Sequence, residues 1–177
     1  MRYPFPTSLC LALALTLAAW VSPAMADTHW PQKDWHVIPT EQGYSALLEH
    51  LKQAVDANEM GVVTEAGPTQ AAAQRGVEIP GNRVVGVFRN DFAVDILRLS
   101  VPAMIEAPIR FYVTENEDGT GTLSWKKPSA IFAPYVADLD DDERAAALAD
   151  KASELDAIFE KIADESIAGT PSQPATE

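Results

Sequence analysis

The chain has 177 residues, with 13 Lys and Arg against 26 Asp and Glu, and a formal net charge of −13. That length suits a single domain, and that charge repels phosphate backbones and acidic lipid, which argues against nucleic acids and anionic membranes as partners. Without residues 1–26 the chain loses only Arg2 among its charged groups and carries 12 bases against 26 acids, or −14.

Arg2 precedes an apolar run of 13 residues, Leu9 to Val21, which is short for a membrane-spanning helix. Ala24 and Ala26 form an A-x-A cleavage pattern. The sequence therefore predicts a cleaved secretory signal over residues 1–26, a mature chain starting at Asp27, and a periplasmic or secreted protein without membrane attachment. Cys10, the only cysteine, lies near the start of the apolar run and not at its end, so a lipid anchor is not expected. The mature chain then has no thiol, which excludes disulfides, thiolate catalysis and cysteine-based metal sites.

Residues 27–34 form a polar and aromatic lead-in. Trp35 to Pro39 reads as a first strand, followed by Thr40 as the N-cap of a helix. Tyr44, Leu47, Leu48, Leu51 and Val55 make one apolar stripe on that helix, and Gly61 ends it. Val62 to Glu65 reads as a second strand. Gly67-Pro68-Thr69 opens a short alanine-rich helix that stops at Gly76. Val84 to Phe88 is a third strand whose unbroken apolar run predicts burial on both faces.

Asn90 or Asp91 is placed to cap a helix carrying Phe92, Ile96, Leu97 and Leu99, with Pro102 limiting its extent. Pro108 begins a fourth strand with Ile109, Phe111 and Val113 on one face. Asp118-Gly119 provides hairpin turn chemistry before a fifth strand, Thr122 to Lys127, closed by Pro128. A long helix follows, with Asp140 and Glu143 as its capping pattern and Leu148, Leu155, Phe159 and Ile162 as its apolar face. Residues 138–165 hold 11 acids and 3 bases, read as a solvated outer face. Residues 167–177 are expected to form a disordered tail. The order β-α-β-α-β-α-β-β-α predicts one two-layer α+β domain over residues 35–166, a mixed sheet of about five strands with packed helices.

The helix "SALLEHLKQAVDANEMGVVTE", the motif "VVGVFRN", the strand "PIRFYVTENEDG" and "LSWKKP" ending at Pro128 carry a resemblance. From Trp35 to about Tyr135 the chain resembles the family known as Domain of Unknown Function 302. Two departures stand out. Where the family has Gly-Asn-Pro after the central strand, Gly86 precedes Val87-Phe88-Arg89 here, and Asn90 is followed by Asp91. Where the family often has a histidine before the alanine-rich helix, Gly67-Pro68-Thr69 stands, so no role of that histidine carries over. The resemblance implies a two-layer fold with a mixed sheet and dimerisation, and it implies no reaction.

Several constellations bear on function. Arg89, Asn90 and Asp91, at the end of the third strand, are candidates for orienting a small polar or anionic ligand. Read as structure, the same residues are a strand end and a helix cap, with Arg89 left without a structural task. Asp91 and Asp95 share a helix face, so Arg89, Asp91 and Asp95 form the set for a small hydrolase or isomerase, the enzymatic alternative. Trp125 and Tyr135, with Ile131 and Phe132 between them, suit a ligand pocket or a dimer face, or packing beneath the acidic helix.

His29, His36 and His50 are the only histidines, and none belongs to an H-x-x-x-H pair, which excludes a zincin-type site. His36 and His50 fit structural positions. His29 would be third in the mature chain, where the Asp27 α-amine, two amides and the imidazole form a four-nitrogen set suited to Cu(II) or Ni(II). No other cofactor is expected. Phosphate-binding glycine motifs and the G-x-S-x-G nucleophile context are missing. The leading expectation is an exported, non-catalytic domain that binds a small ligand or a protein partner, as a homodimer.

Overall fold

The structure, a computed structural model, describes residues 29–31 and 33–169. The predicted leader, Asp27, Thr28 and the end of the tail lie outside the described residues. In chain order the elements are β1 (Trp35–Gly43), α1 (Tyr44–Ala57), β2 (Gly61–Ala66), α2 (Thr69–Ala73), β3 (Asn82–Phe88) and α3 (Asn90–Leu99). A short 3-10 helix (Pro102–Glu106) leads into β4 (Ile109–Glu115), β5 (Thr120–Lys126), α4 (Pro128–Ala137) and α5 (Asp142–Ala168).

The α+β architecture and the five strands are as expected. The sheet order is β1-β5-β4-β3-β2, and each neighbouring pair is antiparallel, not mixed. Helices between strands suggested parallel crossovers, but neither long connection makes one between neighbours. The α1 segment carries the chain from one edge strand to the other. The α3 and 3-10 segments form an excursion that returns beside its starting point, since Val87 near the end of β3 pairs with Ile109 at the start of β4.

Several boundaries differ from the sequence reading: α1 ends at Ala57 and Gly61 opens β2, β3 begins at Asn82, and β5 spans Thr120–Lys126. Thr40 stays in β1 and donates its hydroxyl to the Gly121 carbonyl at 2.7 Å, and α1 starts only after Gly43. Pro39 does not end the strand because β1 is an edge, where its missing N–H costs no ladder bond, and the register shifts between Pro39 and Gly43. At α5 the cap is Asp141, which accepts from the Arg144 amide at 3.0 Å, in place of the Asp140–Glu143 pattern. That helix runs through Ile167 and Ala168 to a left-handed Gly169 (φ 68°), past the expected start of the tail. The unforeseen element is α4. Its Pro134 and its apolar composition on all sides hide the helical period in the sequence.

Alternation along β4 and β5 sends Phe111, Val113, Leu123 and Trp125 into the core. They meet Leu47, Leu51 and Val55 of α1 and Leu148, Phe159 and Ile162 of α5. Phe111 and Phe159 stack with centroids 4.6 Å apart and planes 15° from parallel, which fixes α5 over the sheet. In β3, Val85, Gly86 and Val87 are buried while Val84 and Phe88 are half-buried. Asp118-Gly119 turns as expected, with Gly119 at φ 82° and the Asp118 carboxylate accepting from Thr120.

Candidate functional site

The residues around Arg89 are occupied by structural work. Arg89, not Asn90 or Asp91, stands at the N-cap position of α3, and its side chain makes no cap there. The Arg89 Nε donates to Asp91 Oδ1 at 2.8 Å, and its guanidinium lies 4.4 Å from the Phe92 ring centroid. That hydrogen bond holds the Asp91 carboxyl below the ordinary aspartate range. Asp95 faces Lys151 of α5 at 3.6 Å and Arg98 at 3.9 Å. Arg89 thus has a structural task, contrary to the sequence reading. A cavity of about 30 Å³ lies behind Arg89, bounded by Val87, Phe92, Ile96, Met104 and Phe132. That is roughly the volume of one water, too small for an organic ligand.

Trp125 and Tyr135 are engaged with different partners. Trp125 is 3% exposed and belongs to the core, with His36 stacked on it at 4.5 Å. Tyr135 donates its hydroxyl to Glu106 Oε1 at 2.7 Å, a bond that raises the phenol pKa. The segment offered as a dimer face is helix α4, whose Phe132 is 2% exposed and which packs on α5. The histidines inside the fold have structural partners. His50 Nδ1 pairs with Gln42 Oε1 at 2.6 Å, while Gln42 Nε2 donates to the last-turn carbonyls of α5. Among the described residues no group of three or more His, Cys, Asp or Glu could hold a metal, and Asp27 and Thr28 are not among them.

The larger recess lies at the end of the sheet where β1 and β4 begin and β5 ends. It is a groove of about 330 Å³. The lead-in supplies Lys33 and Asp34, β1 supplies Trp35, and the 3-10 helix supplies Glu106. Arg110 of β4 and Lys126 of β5 form its cationic floor, and Ala130 and Ile131 of α4 an apolar wall. Alternation explains the floor: with Phe111 and Trp125 turned into the core, Arg110 and Lys126 take the opposite face. Trp35 pairs with Lys126 and Phe111 with Trp125, so the next step of that register sets Arg110 beside Lys126. The Lys126 ammonium is 5.4 Å from the Trp35 ring centroid. Trp30 lies against Trp35 and Tyr112, at 5.8 and 5.9 Å between centroids, and extends the aromatic surface.

Trp35, Arg110 and Lys126 were not picked out in the sequence. A local signal existed in β4, where the polar positions alternate with Ile109, Phe111 and Val113. The pairing that unites three strands is not local and could not be read.

The family described as "Domain of unknown function DUF302" matches residues 36–162. A crystal structure of an uncharacterized conserved DUF302 protein from Bacillus stearothermophilus superposes with a TM-score of 0.64 at 16% identity, over 76% of this chain and 98% of that one. That likeness is one of fold. No curated protein matches the chain.

Proposed function

The chain belongs to the DUF302 family, and we propose that it is an exported small-ligand-binding domain without catalysis, its binding site the groove between Trp35, Arg110, Lys126 and Ile131. One observation carries this reading: the groove is large enough for a small organic molecule, at about 330 Å³, and combines an aromatic wall, an apolar wall and exposed charge. The sets suggested for hydrolysis or isomerisation support it indirectly, because Arg89, Asp91 and Asp95 are engaged in ion pairs that tie α3 to itself and to α5. The leader pattern of residues 1–26 supports export, and the intact mass of protein recovered from its own cells tests it. No helix among the described residues is long and apolar enough to cross a membrane.

The test is a ligand-detected NMR screen of small ring compounds against wild type and Ala130→Trp, whose indole would fill the groove. Compounds that bind wild type should lose their signal with the variant. Retention of every hit would place binding elsewhere and end this reading.

A further inference from the structure

The groove concentrates cations on a chain whose net charge is −13. Arg110 and Lys126 are neighbours across β4 and β5, and neither forms an ion pair among the described residues. Like charges facing each other across strands are destabilising. With 26 acids in the chain, leaving two adjacent cations without one is a cost that a bound anion would relieve.

The other charges limit how much negative charge fits. Lys33 is 3.9 Å from Asp34, and so is already balanced. Glu106 also lines the groove, with Oε1 taken by the Tyr135 hydroxyl. Three cations against two carboxylates leave one unit of positive charge, so a monoanion is matched and a dianion meets Glu106 and Asp34. Arg110 brings a planar fork that suits the two oxygens of a carboxylate, and Lys126 brings a point charge. Trp35 and Ile131 offer flat and apolar surface to the remainder of the ligand. The volume is about ten water equivalents, the scale of a single-ring compound.

From this we infer that the natural ligand is a monoanionic aromatic carboxylate, its carboxylate held by Arg110 and Lys126 and its ring laid against Trp35. The inference rests on the groove being the binding site and adds the chemical class of the ligand.

Calorimetric titration of the purified chain with benzoate, benzamide and inorganic phosphate tests it. Benzoate should bind at one site. Benzamide, of the same shape without the charge, should bind about tenfold more weakly, the worth of one charge-assisted hydrogen bond. Phosphate should also bind more weakly than benzoate. Arg110→Gln and Lys126→Gln should each weaken benzoate by about tenfold; Arg110→Gln should hold or raise the melting temperature, because it relieves the repulsion between the two cations, while Lys126→Gln also gives up the contact of its ammonium with the Trp35 ring. Equal binding of benzoate and benzamide would overturn the ligand class while leaving the groove as a binding site. Tighter binding of phosphate than of benzoate would overturn it as well. If no compound of any charge is displaced by Ala130→Trp, the underlying site assignment fails with it.

Discussion

Gly67→Ala probes how tightly the β2 end of the sheet is built. Gly67 directly follows β2, and a Cβ there would lie 2.1 Å from the Asn82 backbone oxygen and 3.2 Å from its carbon. An ordinary carbon–oxygen contact is about 3.3 Å or more. The obstacle is backbone, so no rotamer change relieves it. Asn82 is the first residue of β3, paired with Thr114 of β4, and its side chain donates to the Tyr112 hydroxyl at 2.6 Å. Relief therefore requires β2 and β3 to part by about an ångström at the Ala66–Val84 pair. Overpacking of this kind costs about 1–3 kcal/mol, and a weakened ladder bond adds about 1 kcal/mol. A total of about 2–4 kcal/mol lowers Tm by roughly 5–15 °C in a domain of this size. Gly76→Ala is the control. Gly76 has φ 74° but nothing within 4 Å of its would-be Cβ. Its left-handed backbone costs about 1–2 kcal/mol, offset by about 0.4–1 kcal/mol from a stiffer unfolded chain. Thermal and urea denaturation followed by circular dichroism compare the two. A Gly67→Ala protein as stable as Gly76→Ala would refute the close approach of β2 and β3.

Gln42→Ala removes the amide that donates to Ser166 O at 2.9 Å and Ile167 O at 2.6 Å, and should cost about 1–2 kcal/mol; hydrogen exchange should speed up in the last turn of α5, and unchanged exchange there would count against the latch. Asp91 should titrate below the ordinary aspartate range by NMR, and Arg89→Ala should bring it back up. The sign follows from the lowered folded value: the Asp91 contribution is complete above the unfolded aspartate pKa and is lost as pH falls through the folded one. A mature chain beginning Asp27-Thr28-His29 should bind Cu(II) through four nitrogens; titration should show a site that His29→Ala abolishes, and equal binding by both proteins would dispose of it.

Much of this fold is legible in the sequence where the signal is local. The α1 stripe, the α5 apolar face and the Asp118-Gly119 turn each need only a short window, and Leu47, Leu51, Phe159 and Ile162 are buried as their spacing requires. Elements that break the period were lost. Pro134 and the uniformly apolar α4 hid a helix, and Pro39 concealed the continuation of an edge strand. The sheet's antiparallel order depends on which strands meet across long connections, which periodicity does not encode. The candidate site failed to emerge for the same reason. Arg89 follows an apolar run directly, which reads as an exposed charged edge, yet it pairs with its own neighbour Asp91. Trp35, Arg110 and Lys126 come from three separate strands and become one surface only through the registers of β1 with β5 and β5 with β4.

The groove itself is tested most directly by mapping amide shifts of the labelled chain as benzoate is added. The account predicts perturbations centred on Trp35, Arg110, Lys126, Ala130 and Ile131. Perturbations centred instead on Arg89, Phe92 and Phe132, around the small cavity behind α3, would contradict it.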